Sequence, residues 1–179
     1  MIGQNGRRGA LMISMDIRHP DIEAFVKMKR DLTKVTGANV SVKISDSFMQ
    51  AVEEEGTFTL QFPVDADEPE FTADIDAAQL WGSIIESATQ TAEPGLLMWD
   101  NITRNLPAHS YPEFETKTTN PCGEIPLSAY DSCRLISLNL KKYTQGTCTS
   151  INCLFGSIGL FDYFRCCSKT FMESKWTKN

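Results

Sequence analysis

The chain has 179 residues, 41% hydrophobic and 22% charged, which is the composition of a soluble globular protein with length enough for one domain and its own core. A net charge of −6 gives no general reason to coat nucleic acid or an anionic membrane surface, so neither is expected as a partner. No apolar run reaches the roughly 18 residues of a membrane span, and residues 1–8 make a poor signal peptide, because Asp16 and Arg18 break the apolar stretch that follows. The expected compartment is a reducing cytoplasm. There the six cysteines are free thiols, metal ligands or redox pairs before they are structural disulfides.

Residues 10–15 (ALMISM) read as a short buried strand. Pro20 then opens a helix with Asp21 and Glu23 in its first turn, Ile22, Phe25 and Val26 on one face, and Lys27, Lys29 and Arg30 at its C-terminal end. Residues 39–44 alternate Val40, Val42 and Ile44 against Ser41 and Lys43, which predicts a strand with one apolar face. Ser45 or Asp46 caps the next helix, whose stripe is Phe48, Met49 and Val52 and whose stop is Gly56. Residues 57–62 alternate again as a strand, and residues 63–70 form an acidic, proline-containing connection.

A longer helix is expected over residues 73–92, with Leu80, Trp81, Ile84, Ile85 and Ala88 inward, ended by Pro94 and Gly95. Residues 96–99 read as a brief buried strand, residues 101–119 as loop, and residues 135–140 as a further strand. Strands alternating with helices in this order predict an α/β fold.

The chemistry-bearing segment is NPCGEIPL over residues 120–127, followed by DSCRLISLNL over residues 131–140. In an extended segment Asn120, Cys122 and Glu124 project from one side, so an amide, a thiol and a carboxylate converge, with Gly123 leaving the opposite side open. Pro121 and Pro126 stiffen the segment and remove two N–H donors, which suits a rigid loop. Cys133 follows a short turn that folds it back near Cys122. Three readings compete for these thiols. They pack as small hydrophobes; they bind zinc, for which the spacing is poor and no His lies nearby; or they carry redox or radical chemistry beside an acid–base group.

The string TNPCGEIPLSAYDSCRL resembles the active-site loop of ribonucleotide reductase catalytic subunits. The NPCGE form with a second cysteine 11 residues later is most similar to the cobalamin-dependent class. Further similarity runs in order through GRRGALMISM, HPDIEAFVKMKRD, ANVSVKISDSFMQAV and EPGLLMWDNITRNLP, so the likeness spans residues 6–143. It implies part of a ten-stranded α/β barrel, about one half-barrel plus the finger loop that carries the radical cysteine into its centre. On that likeness Cys122 becomes the thiyl radical that abstracts the 3′ hydrogen of a ribonucleotide. Glu124 is the general base on the 3′ hydroxyl, Asn120 orients substrate and glutamate, and Cys133 is one of two thiols oxidised to a disulfide in each turnover. The implied cofactor is adenosylcobalamin, with diiron-dependent radical generation the other class. The implied partners are a ribonucleoside di- or triphosphate, a thioredoxin-like or glutaredoxin-like reductant, and the remaining pieces of the reductase.

Three departures qualify the likeness. The disulfide partner of Cys133 lies upstream in the family, yet residues 1–121 contain no cysteine. The resemblance stops after Tyr143, and residues 144–179 hold four of the six cysteines, Cys148, Cys153, Cys166 and Cys167. Cys148 and Cys153 invite a metal reading and Cys166–Cys167 a redox one, but read-through beyond a gene interruption is simpler, and no metal site is assigned. Finally, a barrel cut at both ends exposes strand edges and apolar faces. The expectation is therefore a fragment of a split or truncated reductase that cannot complete a cycle alone, the alternative being an inert remnant or assembly piece. His19 is expected to cap or pack at a helix start, His109 to be solvated in a loop, and residues 53–55 (EEE) to end a helix in solvent. Arg7 and Arg8 among glycines suit a phosphate or a flexible start, without the P-loop pattern.

Overall fold

A computed structural model describes residues 3, 4 and 7–133 of the chain. Two short strands, β1 (Gly3–Gln4) and β2 (Arg7–Arg8), pair antiparallel at its start. Strand β3 (Met12–Asp16) leads into α1 (Ile22–Lys27), which continues as a 3₁₀ turn over Met28–Arg30. Glu23 lies in the first turn of α1 and Lys27 in its last, each complementing the helix dipole, and Ile22, Phe25 and Val26 are buried on one face. β3 is less buried than its apolar composition suggests, because it is an edge strand; Ile13 is left exposed.

The alternation of residues 39–44 gives β4 (Asn39–Ile44), with Val40, Val42 and Ile44 fully within the core. Ser45 caps α2 (Asp46–Glu53), its hydroxyl accepting from the Phe48 N–H at 3.2 Å. Glu55, with φ +50°, takes the left-handed position after this helix, and Gly56 donates its N–H back to Ala51 O at 2.9 Å. Glu53, Glu54 and Glu55 are exposed.

β5 (Thr57–Phe62) has a partner that the expected helix over residues 73–92 concealed. Residues Phe71–Asp76 form strand β6, paired antiparallel with β5 from Thr57↔Asp76 to Phe62↔Phe71. Phe71, Ala73 and Ile75 alternate, and the Asp76 carboxylate accepts from the Gln79 N–H at 2.8 Å, so helix α3 (Ala77–Thr91) starts only after its cap. Its buried stripe is Ala77, Leu80, Ile84 and Ser87, whereas Ile85, expected inward, is exposed. Ser87 earns its inward place by accepting from Arg30 Nε at 2.9 Å.

Strand β7 (Gly95–Met98) buries only Leu97, because it too lies at a sheet edge, and Trp99 begins helix α4 (Trp99–Arg104) instead of ending the strand. Residues 101–119 are not the plain loop expected. They contain the end of α4, 3₁₀ turns at Pro107–Ser110 and Pro112–Phe114, and strand β8 (Thr116–Thr119), which pairs antiparallel with β9 (Pro126–Ser128). The strand expected over residues 135–140 and the 144–179 tail lie outside the described residues.

The central sheet is parallel, in the order β3-β4-β7. Helices α1, α2 and α3 pack together on the face that carries Val40, Val42 and Ile44, and Phe48 fills the layer between them, its ring edge-on to Phe58 at 5.0 Å between centroids. The architecture is α/β, as expected. Among the described residues the parallel sheet has three strands and remains open rather than closing into a barrel.

Candidate active site

The sheet face opposite the helices is the more polar one. By register it carries Met12, Ser14 and Asp16 on β3, Ser41 and Lys43 on β4, and Leu97 on β7. The β8–β9 hairpin lies over this face. Thr119 Oγ1 approaches Met12 Sδ at 3.8 Å, Lys43 Nζ donates to the Lys117 carbonyl at 2.6 Å, and Asn39 Nδ2 donates to the Pro121 carbonyl at 2.8 Å. A Cβ on Gly123 would meet Leu97 Cδ2 at 3.8 Å, an ordinary contact, so the tip of the hairpin reaches β7.

Residues 120–124 are a tight turn, not the extended run expected. The Asn120 carbonyl accepts from the Gly123 N–H at 2.9 Å, which makes Pro121 and Cys122 the two central residues of a β-turn. Pro121 presets φ for the first of them, and Gly123 supplies a φ of +84°. Because its backbone carbonyl is committed to Gly123, Asn120 uses its side chain to finish the ladder: Oδ1 accepts from the Ile125 N–H at 3.0 Å, while its own N–H donates to Ile125 O at 3.0 Å. Asn120 is 4% exposed, and its Nδ2 faces Cys133 Sγ at 3.8 Å.

The convergence of amide, thiol and carboxylate is therefore corrected. Turn formation sends the Asn120 side chain inward, to Ile125 and Cys133, and leaves Cys122 and Glu124 exposed on the tip. Both described cysteines are free thiols, Cys122 exposed and Cys133 half-buried, so the packing of two buried cysteines as small hydrophobes does not describe them. Among the described residues no three of His, Cys, Asp or Glu group as metal ligands.

Cys122 and Gly123 form one wall of a cleft of about 580 Å³, whose other walls are the starts of β4 and β7 and include Asn39, Ser41, Glu93 and Gly95. That volume lies in the range of small-molecule sites. Its floor is braced by Glu93. One carboxylate oxygen accepts from the Val40 N–H at 3.0 Å, where β7 has not yet begun to pair, and the other meets Lys29 Nζ at 2.5 Å. At the far end of the same face, Lys43 lies 4.1 Å over the Trp99 ring, and burial pushes its ammonium below the usual lysine range, against the opposing charges of Asp16 and Asp65. The hydrogen bonds of Asp16 hold the neighbouring Arg18 guanidinium above its ordinary value.

Other candidates are structural. His19 accepts from the Asp21 N–H through Nδ1 at 3.1 Å and packs edge-on to Phe62, as expected of a residue at a helix start. His109, expected in solvent, is half-buried and accepts from the Thr116 N–H at 3.1 Å, fixing the start of β8. Asn39, Lys43 and Trp99 were missed in the sequence. Their contacts join segments more than fifty residues apart, and no local pattern signals them.

Comparison with known proteins identifies the family. The ribonucleotide reductase barrel-domain family matches residues 1–155, past the boundary expected at Tyr143. A vitamin B12-dependent ribonucleoside-diphosphate reductase from Thermoplasma acidophilum is 39% identical over 145 residues, covering 80% of this chain and 18% of the relative. The enzyme of the same name from Mycobacterium tuberculosis is 39% identical over 137 residues, covering 76% and 19%. A vitamin B12-dependent ribonucleotide reductase from Streptomyces avermitilis is 34% identical over 163 residues, covering 78% and 16%. The chain thus spans about a fifth of the length of the curated relatives it matches. It belongs to the ribonucleotide reductase barrel-domain family.

Proposed function

We propose that the chain is the finger-bearing section of the catalytic subunit of a cobalamin-dependent ribonucleotide reductase, and that it takes part in reducing ribonucleotides to deoxyribonucleotides. The observation that carries this reading is the placement of Cys122. It is an exposed free thiol on a tight turn, above the polar face of a parallel sheet and in the wall of a cleft of about 580 Å³.

Cys122, as a thiyl radical, takes the 3′ hydrogen of the ribose and later returns it; S–H and activated C–H bonds are close in strength, so the exchange is reversible. Glu124, two residues on and exposed on the same tip, takes the 3′ hydroxyl proton. Asn120 holds the turn that presents both, and Cys133 gives one of the two thiol hydrogens whose loss leaves a disulfide. The substrate is a ribonucleoside di- or triphosphate, and a thioredoxin-like or glutaredoxin-like protein reduces the disulfide. Adenosylcobalamin supplies the radical. No residue described here is assigned to that cofactor. Residues 1–143 are proposed as the barrel part and residues 144–179 as a cysteine-containing tail, the first residues of which still fall within the family match to residue 155.

A second reading keeps the chain as an assembly piece of a split reductase; residues 1–121 contain no cysteine to pair with Cys133. The second electron-donating thiol must then come from another segment. The test is a chimera in which residues 6–143 replace the matching segment of the Thermoplasma relative. Deoxyribonucleotide formation that needs adenosylcobalamin and vanishes in Cys122→Ser is the expected result. Turnover that survives Cys122→Ser would refute the radical assignment, and turnover without cobalamin would refute the cofactor.

A further inference from the structure

The polar face of β4 presents two side-chain donors, Asn39 and Lys43, four residues apart and so about 13 Å apart along the strand. They reach two carbonyls of the hairpin, Pro121 at 2.8 Å and Lys117 at 2.6 Å, which are also four residues apart and run in the opposite direction. Neither carbonyl belongs to the β8–β9 ladder. The register pairs Thr116 with Ser128 and Thr118 with Leu127, so the irregularity between them leaves Lys117 out, and Pro121 lies in the turn. Both acceptors are thus free to be taken from below.

We propose that Asn39 and Lys43 are positioning residues that set the height and register of the Cys122 turn over the sheet, one strut at each end of β8. The struts stand on a firm base, because the opposite face of β4 is Val40, Val42 and Ile44, all within the core. Lys43 is itself held from the side by the Trp99 ring. Its bond to Lys117 is charge-assisted in a partly desolvated setting, which makes it the stronger of the two. The Asn39 strut acts closest to the thiol, since its acceptor, Pro121, is the residue before Cys122. A thiol that must meet a ribose carbon needs placement within about half an ångström, and two fixed donors on a core strand provide it. The inference rests on Cys122 as the reacting thiol.

The test uses the full chain, with hydrogen exchange read by mass spectrometry. Lys43→Met is expected to speed exchange across residues 116–128 by about tenfold, the equivalent of one charge-assisted hydrogen bond, while peptides of β4, α1 and α3 keep their wild-type exchange. Lys43→Arg, which retains a cationic donor, restores the hairpin. Asn39→Asp, at an exposed site that leaves the core intact, replaces the donor by an acceptor and speeds the turn alone. Exchange that rises equally in core and hairpin would mean that the residues only stabilise the fold, and unchanged exchange in both variants would mean that they hold nothing; either overturns the proposal. If the hairpin responds as stated but Cys122 proves dispensable in the chimera, the functional reading falls and the positioning role stands.

Discussion

A single methyl group added at Gly95 tests the packing at the root of the cleft. Gly95 pairs with Ser41 in the β4–β7 register, and a Cβ built on it would lie 2.9 Å from Ser41 Oγ and 3.8 Å from both Ser41 Cβ and Val40 O. The first distance is well inside a normal carbon–oxygen contact, so either the hydroxyl rotates or the two strands part. Ser41 is only 8% exposed, which limits the space into which its hydroxyl can swing. Overpacking of this kind costs about 1–3 kcal/mol; with one short, rotatable side chain in the way, the lower end applies, about 1 kcal/mol. In a urea titration, with the slope usual for small domains, the midpoint of Gly95→Ala should fall by roughly 0.3–1 M. Ser41→Ala removes the obstructing oxygen, so adding it to Gly95→Ala should recover most of the loss, a coupling of about 1 kcal/mol between touching residues. A wild-type midpoint in Gly95→Ala would refute the reasoning. So would a double variant no more stable than the single one.

Two further outcomes follow from the site. Asn120→Ala leaves the Ile125 N–H without its side-chain acceptor, at about 1 kcal/mol, so the amides of the turn should exchange about fivefold faster; Asn120→Asp keeps an acceptor oxygen and should not, and equal exchange in both variants would sink the role given to Oδ1. Lys43, held by burial below its usual 10.5, makes the unfolded chain bind more protons than the folded one between the two values. Stability should therefore rise with pH across that window as the buried ammonium is discharged, with Asp16 and Asp65 resisting and Lys117 assisting. Denaturation midpoints of wild type and Lys43→Met, followed from neutral pH up to 10.5, should diverge in that sense; parallel curves would count against it.

Elements whose signal is local were legible in the sequence. Alternation gave β4 and β5 to the residue, and the charges and apolar face of residues 22–27 gave α1. β6 was concealed because its outward face is polar and it runs directly into α3, so two periodicities merged at residues 73–76. The alternation of Phe71, Ala73 and Ile75 and the cap formed by Asp76 with Gln79 three residues later were the signals that separate them. At the site the residue types were legible, but their convergence was misjudged. Pro at the second position and Gly at the fourth are the marks of a β-turn, and they outweigh the extended alternation of Asn120, Cys122 and Glu124. Lys43 and Asn39 were out of reach for a different reason. A lysine and an asparagine on the polar face of a strand look solvated until a hairpin from residues 116–128 is laid over them.

The turn at the tip divides its residues by what requires them. Folding alone demands Asn120, whose side chain stands in for its own committed carbonyl, Pro121, which presets the bend, and Gly123 at φ +84°. A descendant that had abandoned catalysis but kept its shape would still carry those three. Cys122 and Glu124 serve no such need, being exposed side chains at positions that alanine or serine would fill without strain. If the proposed function holds, these two positions and not the other three are where a relative that had lost the reaction would drift first.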